Sequence, residues 1–408
     1  MKKFAKIKDW EYKTLKKMIV LCSRCLFWKS IHFKKEGKVK KILVISLDAL
    51  GDALFTTPLL HALREYYPFA YIAICVKSES KEVVDTNPYI NEVLTFDYHQ
   101  IIQGRGELGP YKLYLKEKLN FLHKLRLKKF DLVIDCSGII STNLFAFLSG
   151  ASRVTGLADK GIEFLLNHPV LDDRNHTPYK NRVLKILNNL SIPPTSEAPE
   201  YFIPDKDKKF ASQFLEKNKV SDDELLVGIH PFAGWKAKCW EPKKFAELIN
   251  LMAKTYSAKV IIFGSLHDLE AIKAIKSMVS TKLLIVAGKT TLHETSALIK
   301  KCGLIVANDS IVLHLAETLD IPTVGIYGPT NPEFSALGRK KHRYINKKLK
   351  CSPIDTEYCQ KQAGLDGKCK SIDCMRLLIV EDIWNVAKKQ LDWITNGKNL
   401  KPNENFNH

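Results

Sequence analysis

Apolar residues run almost unbroken through 41–47 (KILVISL), a stretch of strand length. Residues 48–57 (DALGDALFTT) follow and read as a loop. Thr57 then suits an N-cap and Pro58 the first helical position, giving a helix that reaches about Tyr67 and stops at Pro68. Further strands are expected at Tyr71–Val76, Glu92–Phe96 and Asp131–Asp135. A proline-rich stretch at 192–204 (IPPTSEAPEYFIP) breaks the pattern and reads as a linker, after which the same rhythm restarts. Strands are expected at Leu225–His230, Lys259–Phe263, Leu283–Val286, Leu304–Ala307 and Thr323–Tyr327. Helices are expected over Pro242–Tyr256, from about Asp268, from near Ile311 and over Val380–Trp393. Strands alternating with helices mean parallel α/β sheets. Two such halves facing each other would leave a cleft at the carboxyl ends of the strands, where ligands bind in this architecture.

Length and charge refine this picture. The 408 residues suit two domains with appendages. We expect an extension at 1–38, an N-terminal domain at 39–200, a C-terminal domain at 201–378 and a closing helix and tail at 379–408. The charge is uneven: Met1–Lys40 holds 13 Lys/Arg and 3 Asp/Glu, a net +10 of the chain's +19. Leu15, Met18, Ile19, Cys22 and Leu26 recur there at helical spacing among lysines, which suits a basic amphipathic helix lying in a membrane interface, the alternative being a helix packed on the protein's own body. Its apolar stretch is too short to span a bilayer, and no cleavage site follows it, so a signal peptide is not expected. Six of the ten cysteines are scattered, as expected of a reduced cytoplasmic protein. Anionic partners are expected, and a membrane surface or phosphorylated glycolipid fits better than nucleic acid, for which no motif is present.

Three places carry candidate chemistry. Gly51-Asp52 follows the first strand, where a carboxylate could serve as a general base; the alternative is hydrogen bonding to nearby backbone amides. Asn308-Asp309-Ser310 has the same place in the second half, before a helix whose N-terminus would favour an anion. His314 lies one turn into that helix, and Gly328-Pro329-Thr330 ends the next strand beside it, so these residues together suggest a diphosphate cradle. Cys351, Cys359, Cys369 and Cys374, in the segment 351–374, could form a structural zinc or iron–sulfur site or remain unligated thiols. The G-x-G-x-x-G match at 104–109 (GRGELG) follows a polar stretch rather than a buried strand and reads as a surface loop. The run 339–343 (RKKHR) reads most simply as a solvated face, with phosphate binding as the alternative.

The pieces ILVISLDALGDALFTTPLLHALREYYPFAYI, FDLVIDCSG, GIHPFAGWKAKCWEPKKFAEL, FGSLHD and NDSIVLHLAETLDIPTVGIYGPTNP occur in an order that resembles glycosyltransferase family 9, the ADP-heptose:lipopolysaccharide heptosyltransferases. The resemblance runs from about Lys41 to Trp393. It implies a GT-B fold of two Rossmann-like domains and an inverting transfer that needs no metal or other cofactor, the ADP-sugar being a substrate. It implies a heptose moved from ADP-heptose to a lipid-linked glycan, the lipopolysaccharide core, by an enzyme peripheral to the inner face of the cytoplasmic membrane. The alternatives are a GT-B transferase using another nucleotide sugar for surface polysaccharide, and a non-catalytic membrane-associated protein of the same fold. By the resemblance, the proposed base falls on Asp52. Lys238 falls near the donor's sugar–phosphate, Asp309, Ser310 and His314 at its diphosphate and sugar, and Asp268 at its nucleoside. Ile311 and Phe232 stand where the family usually has glycine, and Asp268 is shorter than the glutamate often found there.

Overall fold

The computed structural model describes residues 37–97, 108–359, 369 and 371–398. Residues 1–36 of the extension expected at 1–38, and most of the GRGELG stretch, lie outside them. The chain divides into two compact units, with the break at Phe202–Ile203.

The first unit runs β1 (Lys41–Ser46), α1 (Leu50–Phe55), α2 (Thr57–Tyr66), β2 (Tyr71–Val76), α3 (Lys81–Val84), β3 (Glu92–Thr95), α4 (Leu108–Lys128), β4 (Leu132–Asp135), α5 (Ile140–Leu148), β5 (Arg153–Ala158), β6 (His168–Leu171) and α6 (Tyr179–Asn189). The six strands are parallel, in the order β3-β2-β1-β4-β5-β6. β1 lies at the centre, and Ile42, Leu43 and Val44 are fully buried because helices cover both faces of the sheet.

The second unit runs α7 (Asp205–Lys217), β7 (Leu226–His230), α8 (Pro242–Tyr256), β8 (Lys259–Ile262), α9 (Leu269–Ser277), β9 (Leu283–Ile285), α10 (Leu292–Lys301), β10 (Leu304–Asn308), α11 (Ile311–Thr318), β11 (Thr323–Tyr327), α12 (Pro332–Ser335), β12 (His342–Asn346), α13 (Asp373–Arg376) and α14 (Val380–Lys398). Its parallel order is β12-β11-β10-β7-β8-β9. Both sheets therefore have the doubly wound arrangement, reversing direction beside the first strand of each unit. In such sheets a crevice opens at that reversal, between β1 and β4 in one unit and between β7 and β10 in the other. No helix of the described residues is long and apolar enough to cross a membrane.

Three local expectations need correction. Residues 50–55 are helix α1 rather than loop. Burial of Ala53, Leu54 and Phe55 outweighs the helix-breaking tendency of Gly51, and the Asp52 carboxylate accepts the Ala49 N–H (3.0 Å) at the start of the turn. Thr57 is the first helical residue rather than the cap, and neither neighbouring hydroxyl caps α2: Thr56 donates to the Asp52 carbonyl (2.9 Å) and Thr57 to that of Leu54 (2.7 Å). The stretch 192–204 is no free linker up to Phe202, because it packs back on its own unit. Ile192 is buried, Glu200 N–H donates to the Thr57 hydroxyl (2.8 Å), and the Thr86 hydroxyl donates to the Phe202 carbonyl (2.6 Å).

Candidate active site

The carboxyl ends of β7, β10 and β11 bring most of the expected donor residues together. β10 ends at Asn308, and α11 begins after Ser310, so Asp309 sits in the two-residue turn between them. Its Oδ2 accepts from Lys238 Nζ (2.7 Å) and the Thr330 hydroxyl (2.8 Å), and its Oδ1 lies 3.3 Å from His314 Nε2. Burial alone would raise the Asp309 carboxyl, but the opposing charge of Lys238 and the contact with His314 outweigh it and hold the carboxyl well below the usual range. Lys238 closes a 3₁₀ turn (Lys236–Lys238) and stands 4.6 Å from the centre of the Trp235 ring. This loop is anchored two residues on, where the buried Trp240 donates its backbone N–H to Asn308 Oδ1 (3.2 Å) and its indole N–H to the Leu378 carbonyl (2.9 Å).

Ser310 is the N-cap of α11 by position, yet its hydroxyl does not cap the helix. It pairs with His230 Nδ1 (3.0 Å) at the end of the neighbouring strand β7. Burial pushes the His230 ring down to about 4, so at neutral pH it is an uncharged partner. The first-turn N–H groups of α11 have no acceptors within the helix and are suited to an anion. Ile311, at the position where the resemblance led us to note a missing glycine, is the first residue of this turn and is only half-buried.

Asp268 lies apart from the Asp309 constellation, after β8. Its Oδ2 accepts from the backbone N–H (2.7 Å) and hydroxyl (2.6 Å) of Ser265, closing a capping box before α9. It remains near enough to His230 for its charge to oppose the effect of burial on that ring. Gly328 ends β11 against the buried Met375: a Cβ built there would stand 2.3 Å from Met375 Sδ and 3.3 Å from Cys374 Sγ. Beneath it, Cys351, Cys359, Cys369 and Cys374 line one cavity of about 240 Å³. Burial, followed by the neighbouring thiols, pushes Cys374 up to about 11. As placed, no group of three or more His, Cys, Asp or Glu among the described residues is arranged to hold a metal ion.

In the first unit Asp52 is the third residue of α1, half-buried, with one carboxylate oxygen engaged by Ala49. The local hydrogen-bonding role expected from sequence is thus present. Asp48 lies one helical turn before it and was absent from the sequence candidates. Its Oδ2 is sealed from solvent with no hydrogen-bond partner, and burial, then the charge of Asp52, pushes the carboxyl up to about 8. The Ser137 hydroxyl partly opposes that rise. At neutral pH Asp48 therefore retains its proton. At the end of the adjoining strand β4, Asp135 is engaged by Asn143 Nδ2 (2.6 Å) and the Ser137 N–H (2.9 Å), while Asp172, just past the edge strand β6, is clamped by Arg174 (2.8 Å) and Arg182 (2.8 Å).

The sequence reading missed His230, Trp235 and Asp48. Each had one available signal, a polar or aromatic residue at or just past the end of a predicted central strand, where the architecture puts ligands.

Comparison with known proteins supports these assignments of fold and class. Residues 118–363 match the family model of glycosyltransferase family 9 (heptosyltransferase). Over 320 residues the chain is 28% identical to lipopolysaccharide heptosyltransferase 2 of Escherichia coli (strain K12), covering 75% of this chain and 87% of that one. Its fold is similar to that of the glycosyl transferase family 9 protein from Veillonella parvula DSM 2008, with a TM-score of 0.70 at 22% identity, covering 88% of this chain and 98% of the other. It is also similar to that of E. coli ADP-heptose LPS heptosyltransferase II, with a TM-score of 0.67 at 22% identity and coverage of 88% and 100%. With the family model matched over more than half of its length, this chain belongs to glycosyltransferase family 9.

Proposed function

We propose that this enzyme transfers a heptose from ADP-heptose to a lipopolysaccharide core acceptor, with inversion and without a metal, at the inner face of the cytoplasmic membrane. The observation that carries the reading is the locked group of Lys238, Asp309, Ser310, His314 and Thr330 at the strand reversal of the second unit. Such a group suits a diphosphate leaving group: a cation and helix N–H donors already point from fixed positions, so little reorganises as charge develops. Asp52 takes the proton of an acceptor hydroxyl as that oxygen attacks the anomeric carbon and the bond to the diphosphate breaks. ADP leaves, and the proton stays on Asp52 until solvent removes it. Curated relatives named for lipopolysaccharide heptosyl transfer support the sugar and the acceptor class. The basic extension at 1–38, of which 1–36 lie outside the described residues, would hold the enzyme near its lipid-linked substrate. The four cysteines are proposed as a structural element under the Gly328 turn, whether as thiols or around a metal.

The test is transfer from ADP-heptose to purified core acceptor by the parent and by Asp52→Asn. Loss of a general base should lower the rate ~10²–10⁴-fold, with ADP affinity by calorimetry unchanged. A variant that transfers at close to the parent rate would remove Asp52 from the chemistry. A parent that turns over a different nucleotide sugar in preference would replace the donor.

A further inference from the structure

The basic run 339–343, read from sequence as a solvated face, lines a groove of about 790 Å³ on the second unit. Arg339, Lys340, Lys341 and Arg343 form one wall, and Lys389 and Trp393 of α14 form the other. Gln390 pins the walls together by donating to the Lys341 carbonyl (2.8 Å). The groove lies at the start of the edge strand β12, where His342 is in register with Thr323, the first residue of β11. The Asp309 constellation lies at the other, carboxyl ends of these strands, so the groove is no part of the donor site.

Two features set it apart from ordinary solvated surface. The first is charge. Asp320 pairs with Arg339 (3.3 Å) and with Lys341. Among the described residues, Lys340, Arg343 and Lys389 have no carboxylate within ion-pair distance, so five cations face one carboxylate. The second is the pair of aromatic rings left in water beside them, Trp393 at 58% and Tyr344 at 43% exposure. Exposed amphipathic rings among lysines and arginines match the headgroup layer of a bilayer, where the rings sit at the interface and the cations meet phosphates. A site for a small soluble anion would need neither ring.

We propose that this groove docks the enzyme on anionic phospholipid headgroups, with Trp393 entering the interface. The proposal deepens the membrane part of the function proposed above and rests on it only for where the acceptor lies.

The test uses the full chain and vesicles of phosphatidylglycerol and phosphatidylcholine, with pure phosphatidylcholine as the neutral control. The groove variant is Lys340→Gln, Arg343→Gln, Lys389→Gln. Lys206→Gln, Lys209→Gln, Lys217→Gln removes the same charge from exposed positions on α7. At about 1 kcal/mol per cation near the surface, the groove variant should bind anionic vesicles about 10²-fold more weakly at low salt. The α7 variant should stay within about 3-fold of the parent, since screening confines each charge to its own surroundings. Trp393→Ala, with unchanged charge, should also weaken binding several-fold. Equal losses for the groove and α7 variants would show that net charge, extension included, carries the binding, and the proposal falls. It falls too if inorganic phosphate releases the vesicles better than chloride at equal ionic strength, because the groove would then serve a soluble anion. Transfer to a delipidated soluble acceptor is measured alongside: the groove variant should keep the parent rate, and a loss there would place the groove in catalysis instead. A parent inactive in that assay would count against the proposed reaction and leave the lipid comparison standing.

Discussion

Replacing Lys238 by Met separates its observed role, as partner of Asp309, from its proposed role, as a contact for phosphate. Lys238 and Asp309 meet at 2.7 Å with side-chain exposures of 18% and 5%, so the carboxylate is the buried member. Removing one partner of a fully buried pair costs ~3–5 kcal/mol. Water reaches Lys238, and His314 and Thr330 still engage Asp309, so about 2 kcal/mol is expected here, or ~4–8 °C in Tm for a unit of this size. The sign of the pH dependence follows from Asp309. Its folded carboxyl lies below the ordinary value, so its contribution is full above about pH 4 and is lost as pH falls toward the folded value. Without Lys238 that depression shrinks. The stability gap between parent and variant should be widest near pH 7 and should narrow below pH 4. Urea titrations at pH 7 and pH 3.5 measure it. Calorimetry measures the second role: a lost charged hydrogen bond of ~1.5–3 kcal/mol lowers ADP affinity about 10–100-fold, while adenosine should change less than about 2-fold. Equal losses for ADP and adenosine would show that Lys238 does not meet phosphate. A gap that does not change with pH would show that it is not what keeps Asp309 ionised.

Asp48→Asn should make the protein more resistant to base. The folded carboxyl, raised to about 8, keeps its proton between pH 4 and 8 while the unfolded chain loses it, so parental stability falls across that window and the variant's should not. Urea midpoints at pH 5 and pH 9 should show a gain that is larger at the higher pH, by on the order of 1–3 kcal/mol with partial exposure allowed for; a gain equal at both would contradict a buried carboxyl. Gly328→Ala should cost about 1–3 kcal/mol by driving a Cβ into Met375, and Met375→Ala should relieve much of it in a double-mutant cycle. Strictly additive losses would mean that the two do not touch.

The sheets were legible because their strands are buried on both faces and read as continuous apolar runs, as in KILVIS and YIAICV. β5 and β6 escaped notice for the opposite reason. β5 (RVTGLA) carries Arg153 and Gly156, and β6 (HPVL) is an edge strand on which Pro169 is tolerated and burial alternates. Helix α1 was hidden because its pattern is six residues long and contains a glycine; what forms it is core contact made elsewhere in the chain. Asp309, Ser310 and His314 could be read from their place between a strand and a helix, and Thr330 from the end of the next strand. The identity of their partners could not. His230 is 80 residues from Ser310 and Lys238 is 71 from Asp309, and only the sheet order brings β7 beside β10. The basic run at 339–343 is the solvated face that its charge suggests at Arg339, Lys340 and Arg343, but the buried His342 shows where the run enters the edge of the sheet.

The geometry around Asp309 bears on how the proposed catalysis, rather than binding alone, would arise from these residues. Asp309 is held ionised, so it offsets most of the charge of Lys238 before any ligand arrives. With His230 uncharged, such a cradle attracts a bound diphosphate less than an unpaired lysine would. In the proposed reaction, negative charge grows on the departing phosphate as the bond to the sugar breaks. Lys238, fixed by Asp309 and by the Trp235 ring, already points from a set position, as do the first-turn amides of α11. Only contacts that strengthen in the transition state speed the reaction, and donors fixed in advance need no reorganisation as they strengthen. The ties from Thr330 to Asp309 and from Ser310 to His230 extend that rigidity across three strand ends. The polar groups here are thus spent on holding one another still, which is what a developing charge requires and a resting one does not.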